Sequence, residues 1–239
     1  MSLLQKYKKF LHVKIPKNGT NSINKVLKQK KLENWNRTYF YEHEPLCILK
    51  ENNNISDDVF IFCVSRNPFT RFYSLYNQFK KHFHLIDIDI NFDTNTFDDF
   101  KLAIEKNTVH PFFCAPQTEW ISTFKNNMLY GNKHNFEEMP KPFVYNNKIL
   151  IKNKKLLKLN KIYRIENIEE FEADFNEKLF FSNHSIYSMI KYQESYTDSI
   201  IKFVIDYYQE DFKNFGYDYN FEQSVIQLKN QRKRLFYYQ

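Results

Sequence analysis

The first half of the chain repeats one pattern, in which a short apolar run is followed by a loop and then by apolar residues at helical spacing. Residues 10–15 and 59–65 are such runs, and each has the length of a buried strand. Residues 22–31 and 68–82 follow them with the apolar stripe of amphipathic helices. Repeated units of this kind predict a parallel sheet with crossover helices.

Residues with known positional preferences indicate where these two helices begin. Asn67 is the expected N-cap of the second helix, and Pro68 suits its first helical position. Asn21 is the corresponding cap expected for the first helix.

The rest of the chain is less regular. An aromatic strand is predicted at 37–41, a hairpin around Asn146 and Asn147 at 143–152, and a further strand at 161–165. Later periodic segments predict a helical C-terminal part within a single domain, residues 1–239. The helices expected outside the first two units are 96–106, 168–179, 198–212 and 220–238.

Composition limits the function classes. The chain has 35 Lys and Arg against 28 Asp and Glu, a net charge of +7 that attracts anions without choosing among nucleic acids, nucleotides, acidic glycans and membranes. Cys47, Cys63 and Cys114 fit no metal-binding spacing and indicate a reducing compartment, so a cytoplasmic location is expected. The longest apolar run, 59–64, is far shorter than the roughly 20 residues of a membrane span, and neither a span nor a signal peptide is expected.

The loop after the first predicted strand reads KIPKNGTNS and contains one of only 3 glycines in the chain, Gly19. Glycine permits close approach of a ligand to the backbone, and the start of the following helix favours an anion. Thr20, Asn21 and Ser22 add polar donors, and Lys17 adds a positive charge. The loop is therefore a candidate phosphate or sulfate cradle, although an ordinary strand-to-helix turn explains the same residues. It is not a Walker A motif.

Arg66 comes just after the carboxyl end of the third predicted strand, at the edge of the sheet where α/β proteins bind ligands. A guanidinium can hold a phosphate by two parallel hydrogen bonds. Ser74, two helical turns later, can offer a hydroxyl to the same anion. The alternatives are an ion pair for Arg66 and a helix contact for Ser74.

Two of these segments resemble the nucleotide-binding motifs of carbohydrate sulfotransferases that use 3′-phosphoadenosine 5′-phosphosulfate (PAPS), the branch that sulfates chondroitin, dermatan and heparan. HVKIPKNGTNSINKVL is similar to the 5′-phosphosulfate loop of that family, and FCVSRNPFTRFYSLYNQF to its 3′-phosphate strand and helix. Three later segments are similar to the same branch and follow in the family's order: HPFFCAPQTEW at 110–120, IYRIENIEEFEADF at 162–175 and YYQEDFKNFGYDY at 207–219.

The resemblance implies a P-loop-like parallel sheet of about five strands flanked by helices, and transfer of a sulfuryl group from PAPS to a hydroxyl, with 3′-phosphoadenosine 5′-phosphate (PAP) as product. Arg66 and Ser74 would hold the 3′-phosphate. The residues that would hold the 5′-phosphosulfate are Lys17, Asn18, Gly19, Thr20, Asn21 and Ser22.

The reaction needs a base for the acceptor hydroxyl and stabilisation of the leaving phosphate. Lys17 is the candidate for the second role. His43, flanked by Glu42 and Glu44, is the first candidate base, and His110 is its rival. No metal ion is expected, because no ligand cluster is apparent.

The expected acceptor is a hydroxyl of a glycan or a small molecule, and the positive charge of the protein favours an anionic one. Two other classes stay open. A nucleotide-dependent kinase on a related fold would need the Walker A motif that is missing. A basic nucleic-acid-binding protein would use the charge and the aromatic residues, but core packing accounts for most of those residues, so no nucleic-acid partner is expected.

Overall fold

The structure, a computed structural model, describes residues 3–34, 43, 45–52, 55–82, 96–106, 109, 114–122, 155–179 and 189–236. The strands in these ranges are β1 Lys9–Val13, β2 Glu33–Asn34, β3 Val59–Ser65 and β4 Lys161–Arg164. The helices are α1 Leu3–Lys6, α2 Thr20–Gln29, α3 Leu46–Asn52, α4 Pro68–His82, α5 Phe97–Glu105, α6 Gln117–Trp120, α7 Glu169–Phe175, α8 Met189–Glu194, α9 Asp198–Tyr207, α10 Gln209–Phe215 and α11 Phe221–Phe236, with a 3₁₀ turn at Ile165–Asn167.

The described residues group into two compact units. Unit 1 lies within Met1–Ser65, Gln117–His134 and Asn147–His184. Unit 2 lies within Arg66–Pro116, Asn135–Asn146 and Ser185–Gln239. The single domain expected over residues 1–239 stays a prediction.

Unit 1 is built on a parallel sheet with the strand order β2-β1-β3-β4. β1 pairs with β3 from Lys9 opposite Val59 to Val13 opposite Cys63, and β4 lies along the other edge of β3. All seven residues of β3 are buried, as its β-branched and aromatic residues suit a central parallel strand. The predicted α/β chain with a parallel sheet and a helical C-terminal part is confirmed, although β2 has only two residues.

The core of unit 1 is aromatic and centres on Phe62 of β3. Its ring lies 5.7 Å from that of Tyr163 and 5.5 Å from that of Phe175. From α2 the apolar residues Ile23, Val26 and Leu27 join the same cluster. The Tyr163 hydroxyl donates to Asp174 at 2.7 Å, which joins β4 to α7. Two of the helices predicted from periodicity, α2 and α7, therefore pack on the sheet through their apolar residues.

Unit 2 is helical in the described ranges. Thr96 begins α5 with a capping box to Asp99, and Thr197 caps α9 through the backbone N–H of Ile200. Phe69 of α4 packs at 5.2 Å from Phe212 of α10, ring centroid to ring centroid. These contacts bury the aromatic stripe that predicted α4.

The helix expected at 22–31 lies two residues earlier, at Thr20–Gln29, and two other predicted helices differ more in their bounds. The helix expected at 168–179 covers only Glu169–Phe175, because Asn176 takes a left-handed conformation with φ 46° and ends it. The helix expected at 198–212 is divided at Tyr208, whose φ of −104° and ψ of 22° separate α9 from α10. Gly216 then ends α10 in a left-handed conformation, as predicted near that residue.

The predicted strand at 37–41 and hairpin at 143–152 lie outside the described residues. Among the helices that the structure describes, none combines the length and the apolar character needed to cross a bilayer.

Candidate anion-binding site

The loop between β1 and α2 contains two residues in left-handed backbone conformations. Lys17 has φ 69° and Gly19 has φ 79°, whereas Asn18 between them does not have positive φ. Glycine takes this conformation without a steric penalty, but the conformation destabilises a residue with a Cβ by roughly 1–2 kcal/mol. Changes of hand between successive residues turn backbone N–H groups toward one concavity, which suits an anion.

The start of α2 adds further N–H groups. Gly19 is its N-cap residue, and no side chain of the described residues caps the helix there. The first hydrogen bond of the helix runs from the Ile23 N–H to the Gly19 carbonyl at 3.1 Å, so earlier N–H groups have no acceptor inside the helix. The prediction of Asn21 as the cap is wrong, because Asn21 lies inside the first turn and is exposed.

The side chain of Asn18 anchors the loop to buried parts of unit 1. Its side chain is 1% exposed, and Nδ2 donates to the Val64 carbonyl at 2.8 Å and to Gln117 Oε1 at 2.6 Å. The side chain of this predicted ligand thus gives both amide hydrogens to protein acceptors.

The other predicted loop ligands differ in exposure. Thr20 and Ser22 are buried, and Thr20 Oγ1 donates to the Ile15 carbonyl at 3.3 Å. Lys17 and Gly19 are partly exposed, and Asn21 is fully on the surface. The buried residues of the loop are therefore less accessible to a ligand than Lys17, which carries the charge, and Gly19.

His43 lies against the start of the same loop. Its Nδ1 is 2.6 Å from the Lys14 carbonyl, which can only accept, so Nδ1 carries a proton and a neutral ring has its lone pair on Nε2. The ring packs edge-on to Trp120 of α6 at 6.2 Å between centroids. The flanking Glu42 and Glu44 and the rival base His110 lie outside the described residues.

His12 of β1 is a buried histidine that the sequence analysis did not single out. The ring stacks on Phe62 at 5.0 Å, and burial lowers the pKa of His12 to about 3, helped by nearby Lys14 and His43 and opposed by a hydrogen bond to Asn24. His12 is therefore neutral at physiological pH. The residues next to His12 in the sequence do not indicate that its pKa is lowered.

In unit 2, Arg66 stands at the turn that begins α4. Its Nε donates to Thr70 Oγ1 at 3.1 Å, and Thr70 donates to the Asn67 carbonyl at 3.0 Å. A bidentate grip on a phosphate would therefore use Nη1 and Nη2 of Arg66. Asn67 Oδ1 accepts from the Phe69 N–H at 3.0 Å, in agreement with its predicted capping role. Ser74, six residues into α4, is buried.

The predicted site residues thus belong to two groups. Unit 1 contains the loop ligands and His43, and unit 2 contains Arg66 and Ser74. The functional assignment of each residue stays a prediction. Across the described ranges, no three His, Cys, Asp or Glu side chains group as metal ligands would.

No family model, curated protein or solved structure matches the chain. The resemblance to the sulfotransferases accordingly rests on the motifs themselves.

Proposed function

We propose that the protein is a sulfotransferase with a P-loop-like fold, which transfers a sulfuryl group from PAPS to a hydroxyl of a carbohydrate or similar acceptor. The observation that carries this proposal is the loop after β1. Left-handed Lys17 and Gly19, followed by a helix start without a side-chain cap, present N–H groups and a lysine at the carboxyl edge of a parallel strand. Ligands of open α/β sheets bind at this edge.

The residues present suit the phosphosulfate end of PAPS. Gly19 has no Cβ, so its left-handed backbone is unstrained and a ligand can approach it closely. Backbone N–H groups of Asn18, Gly19 and Thr20 would bind oxygens of the 5′-phosphosulfate, and Lys17 would balance their charge. Arg66 would hold the 3′-phosphate, with Ser74 as its predicted helper. PAPS supplies the activated sulfuryl group and leaves as PAP.

The chemistry asked of the chain is positioning and charge stabilisation, as in phosphoryl transfer. A bond forms between the acceptor oxygen and sulfur while the bond from sulfur to the 5′-phosphate oxygen breaks. Lys17 stabilises the negative charge that develops on the phosphate. His43 accepts the proton of the acceptor hydroxyl at Nε2, the nitrogen left basic by the bond from Nδ1 to Lys14. His110 stays the alternative base.

The acceptor is proposed to be a glycan or small-molecule hydroxyl. The net charge of +7 favours an acceptor that itself carries negative charge. The partly exposed Lys17 lies beside the concavity and contributes to this preference.

Calorimetric titration with PAP, using ADP and AMP as controls, tests the proposal. We expect PAP to bind in the micromolar range and both controls to bind much more weakly, because neither carries a 3′-phosphate. Equal binding of ADP would favour a kinase instead. Binding of DNA or RNA that weakens steeply with salt, without competition by PAP, would favour the nucleic-acid alternative.

The base is tested separately at saturating PAPS. His43→Gln and His110→Gln each remove one candidate imidazole while keeping a polar side chain. The variant that loses turnover identifies the base, and the variant that retains full turnover excludes its residue from the proton transfer.

A further inference from the structure

The side chain of Asn18 connects the loop after β1 to two other parts of unit 1. One amide hydrogen reaches the Val64 carbonyl in β3, and the other reaches Gln117 Oε1 at the start of α6. The loop is thus attached to the central strand on one side and to a one-turn helix on the other. Gln117 is separated from Asn18 by 99 positions in the chain and is 0% exposed.

The orientation of these amides follows from the acceptors. The Val64 carbonyl can only accept, so the atom of Asn18 that faces it must be Nδ2. Gln117 then has to present its oxygen to the second amide hydrogen. Asn18 Oδ1 has no hydrogen-bond partner within the described ranges, so the two bonds from Nδ2 are what hold this side chain.

The loop needs such an anchor, because its backbone does not follow the intrinsic preference of its residues. Lys17 is left-handed although it has a Cβ, and such conformations persist only where surrounding contacts impose them. Asn18 is the buried residue between the two left-handed positions. Its two bonds therefore set where the N–H groups on either side point.

We propose that Gln117 is a positioning residue for the anion-binding loop and acts on it through Asn18. This inference rests on the proposed function, in which the loop binds the 5′-phosphate of the nucleotide. Gln117 does not touch the nucleotide itself. Without the Gln117 oxygen, Asn18 keeps one hydrogen bond in place of two. The loop is then less well ordered before the nucleotide binds, so ordering it takes more of the binding free energy.

The inference predicts an effect confined to the 5′-phosphate. PAP and adenosine 3′-phosphate share the base, the ribose and the 3′-phosphate, but only PAP has the 5′-phosphate that the loop would bind. Gln117→Met keeps the size of the side chain and removes the acceptor. We expect it to weaken PAP binding about tenfold and to leave adenosine 3′-phosphate unchanged, a loss typical of one buried hydrogen bond.

Further variants complete the experiment. Asn18→Ala combined with Gln117→Met should bind PAP no more weakly than Asn18→Ala alone, because the two residues act in series. Ser122→Ala is the matched control, since Ser122 is also buried in this segment and donates to the Glu119 carbonyl. It should bind PAP like the wild type. If a thermal melt shows that Gln117→Met does not fold, Gln117→Asn is used in its place, because its shorter side chain withdraws the oxygen. Its binding of PAP and of adenosine 3′-phosphate is compared in the same way.

The outcomes separate the inference from the function on which it rests. A Gln117 variant that binds both ligands like the wild type, or weakens both equally, overturns the positioning role while PAP binding by the wild type keeps the proposed function. A folded wild-type protein that does not bind PAP overturns both.

Discussion

Two strand-to-helix turns, from β1 to α2 and from β3 to α4, begin their helices in different ways. In the turn after β1, the N-cap is a left-handed glycine, and no described side chain caps the helix. In the turn after β3, Asn67 caps the helix through the Phe69 N–H, and Thr70 and Arg66 extend the same hydrogen-bonded chain.

Under the proposed function, the two turns bind an anion in different ways. In the first turn, the buried side chain of Asn18 anchors the loop, and backbone N–H groups at the start of α2 are the proposed anion donors. The second turn satisfies its own backbone and presents a guanidinium held by its Nε. In the proposed function, the first turn would bind an anion with the backbone and the second with a side chain.

The largest effect should come from Lys17, where the backbone turn also carries a charge. Lys17→Ala should reduce turnover of PAPS about 100-fold, the usual cost of removing one group that stabilises developing charge. PAP release in the presence of a panel of polysaccharide acceptors measures it. Lys17→Gly should lose the same activity without loss of stability, since glycine suits φ 69°. Lys25→Ala, exposed on α2, is the control, and near-normal rates for Lys17→Ala would remove it from the mechanism.

The strands that lead into the turns differ in a titratable group, and this gives a pH test. The pKa of His12 in β1 is about 3 when folded, against about 6.5 when unfolded. Between these values the unfolded chain binds the extra proton, so stability is complete above pH 6.5 and falls as pH is lowered toward 3. From pH 7 to pH 5 the loss should be about 2 kcal/mol.

His12→Gln removes that proton and should flatten the pH dependence by the same amount. Urea unfolding followed by tryptophan fluorescence reports on unit 1, because Trp120 lies in it. A variant with the slope of the wild type would show that another group is responsible.

Arg66 tests the second turn. Arg66→Ala should weaken PAP about tenfold and leave AMP unchanged, because only PAP has the 3′-phosphate that two charge-assisted hydrogen bonds would hold. Arg66→Lys keeps the charge but not the fork and should fall between. Lys213→Ala, exposed on α10 of the same unit, should bind PAP normally. PAP binding to Arg66→Ala at wild-type strength would contradict the assignment.

The smallest effect is expected at Asn67, which caps α4 with its side chain, whereas no side chain that the structure describes caps α2. Asn67→Ala should destabilise the start of α4 by about 1 kcal/mol. Hydrogen exchange of the Phe69 amide, the group that Asn67 caps, should quicken about fivefold. Asn67→Asp retains the acceptor oxygen and should restore protection. Unchanged exchange in Asn67→Ala would show that the cap contributes nothing.

Local signals predicted one turn better than the other. β3 was predicted with its observed bounds because a continuous apolar run is a local property, and Pro68 with Asn67 indicated the start of α4. The cap of α2 was misassigned to Asn21 because residue type was used, whereas the chain turns at Gly19 by backbone conformation. Glycine alone does not reveal whether its φ is positive.

Other features depend on partners far along the chain. The buried Asn18 donates a hydrogen bond to Gln117, 99 positions away, and no local pattern indicates that pair. Short elements such as β2 and α6 have too few residues for a period to be visible. The low pKa of His12 comes mainly from burial, which parts of the chain distant in sequence provide.

The strand order has a consequence for synthesis. β3 is completed by β1 on one side and by β4 on the other, yet α4 and α5 are translated before β4 emerges from the ribosome. Until then β3, the most apolar of the described strands, has an unpaired edge, which is the kind of edge that recruits other chains into aggregates. A nascent chain stalled before residue 161, or a fragment ending there, should therefore depend on chaperones far more than the finished protein does.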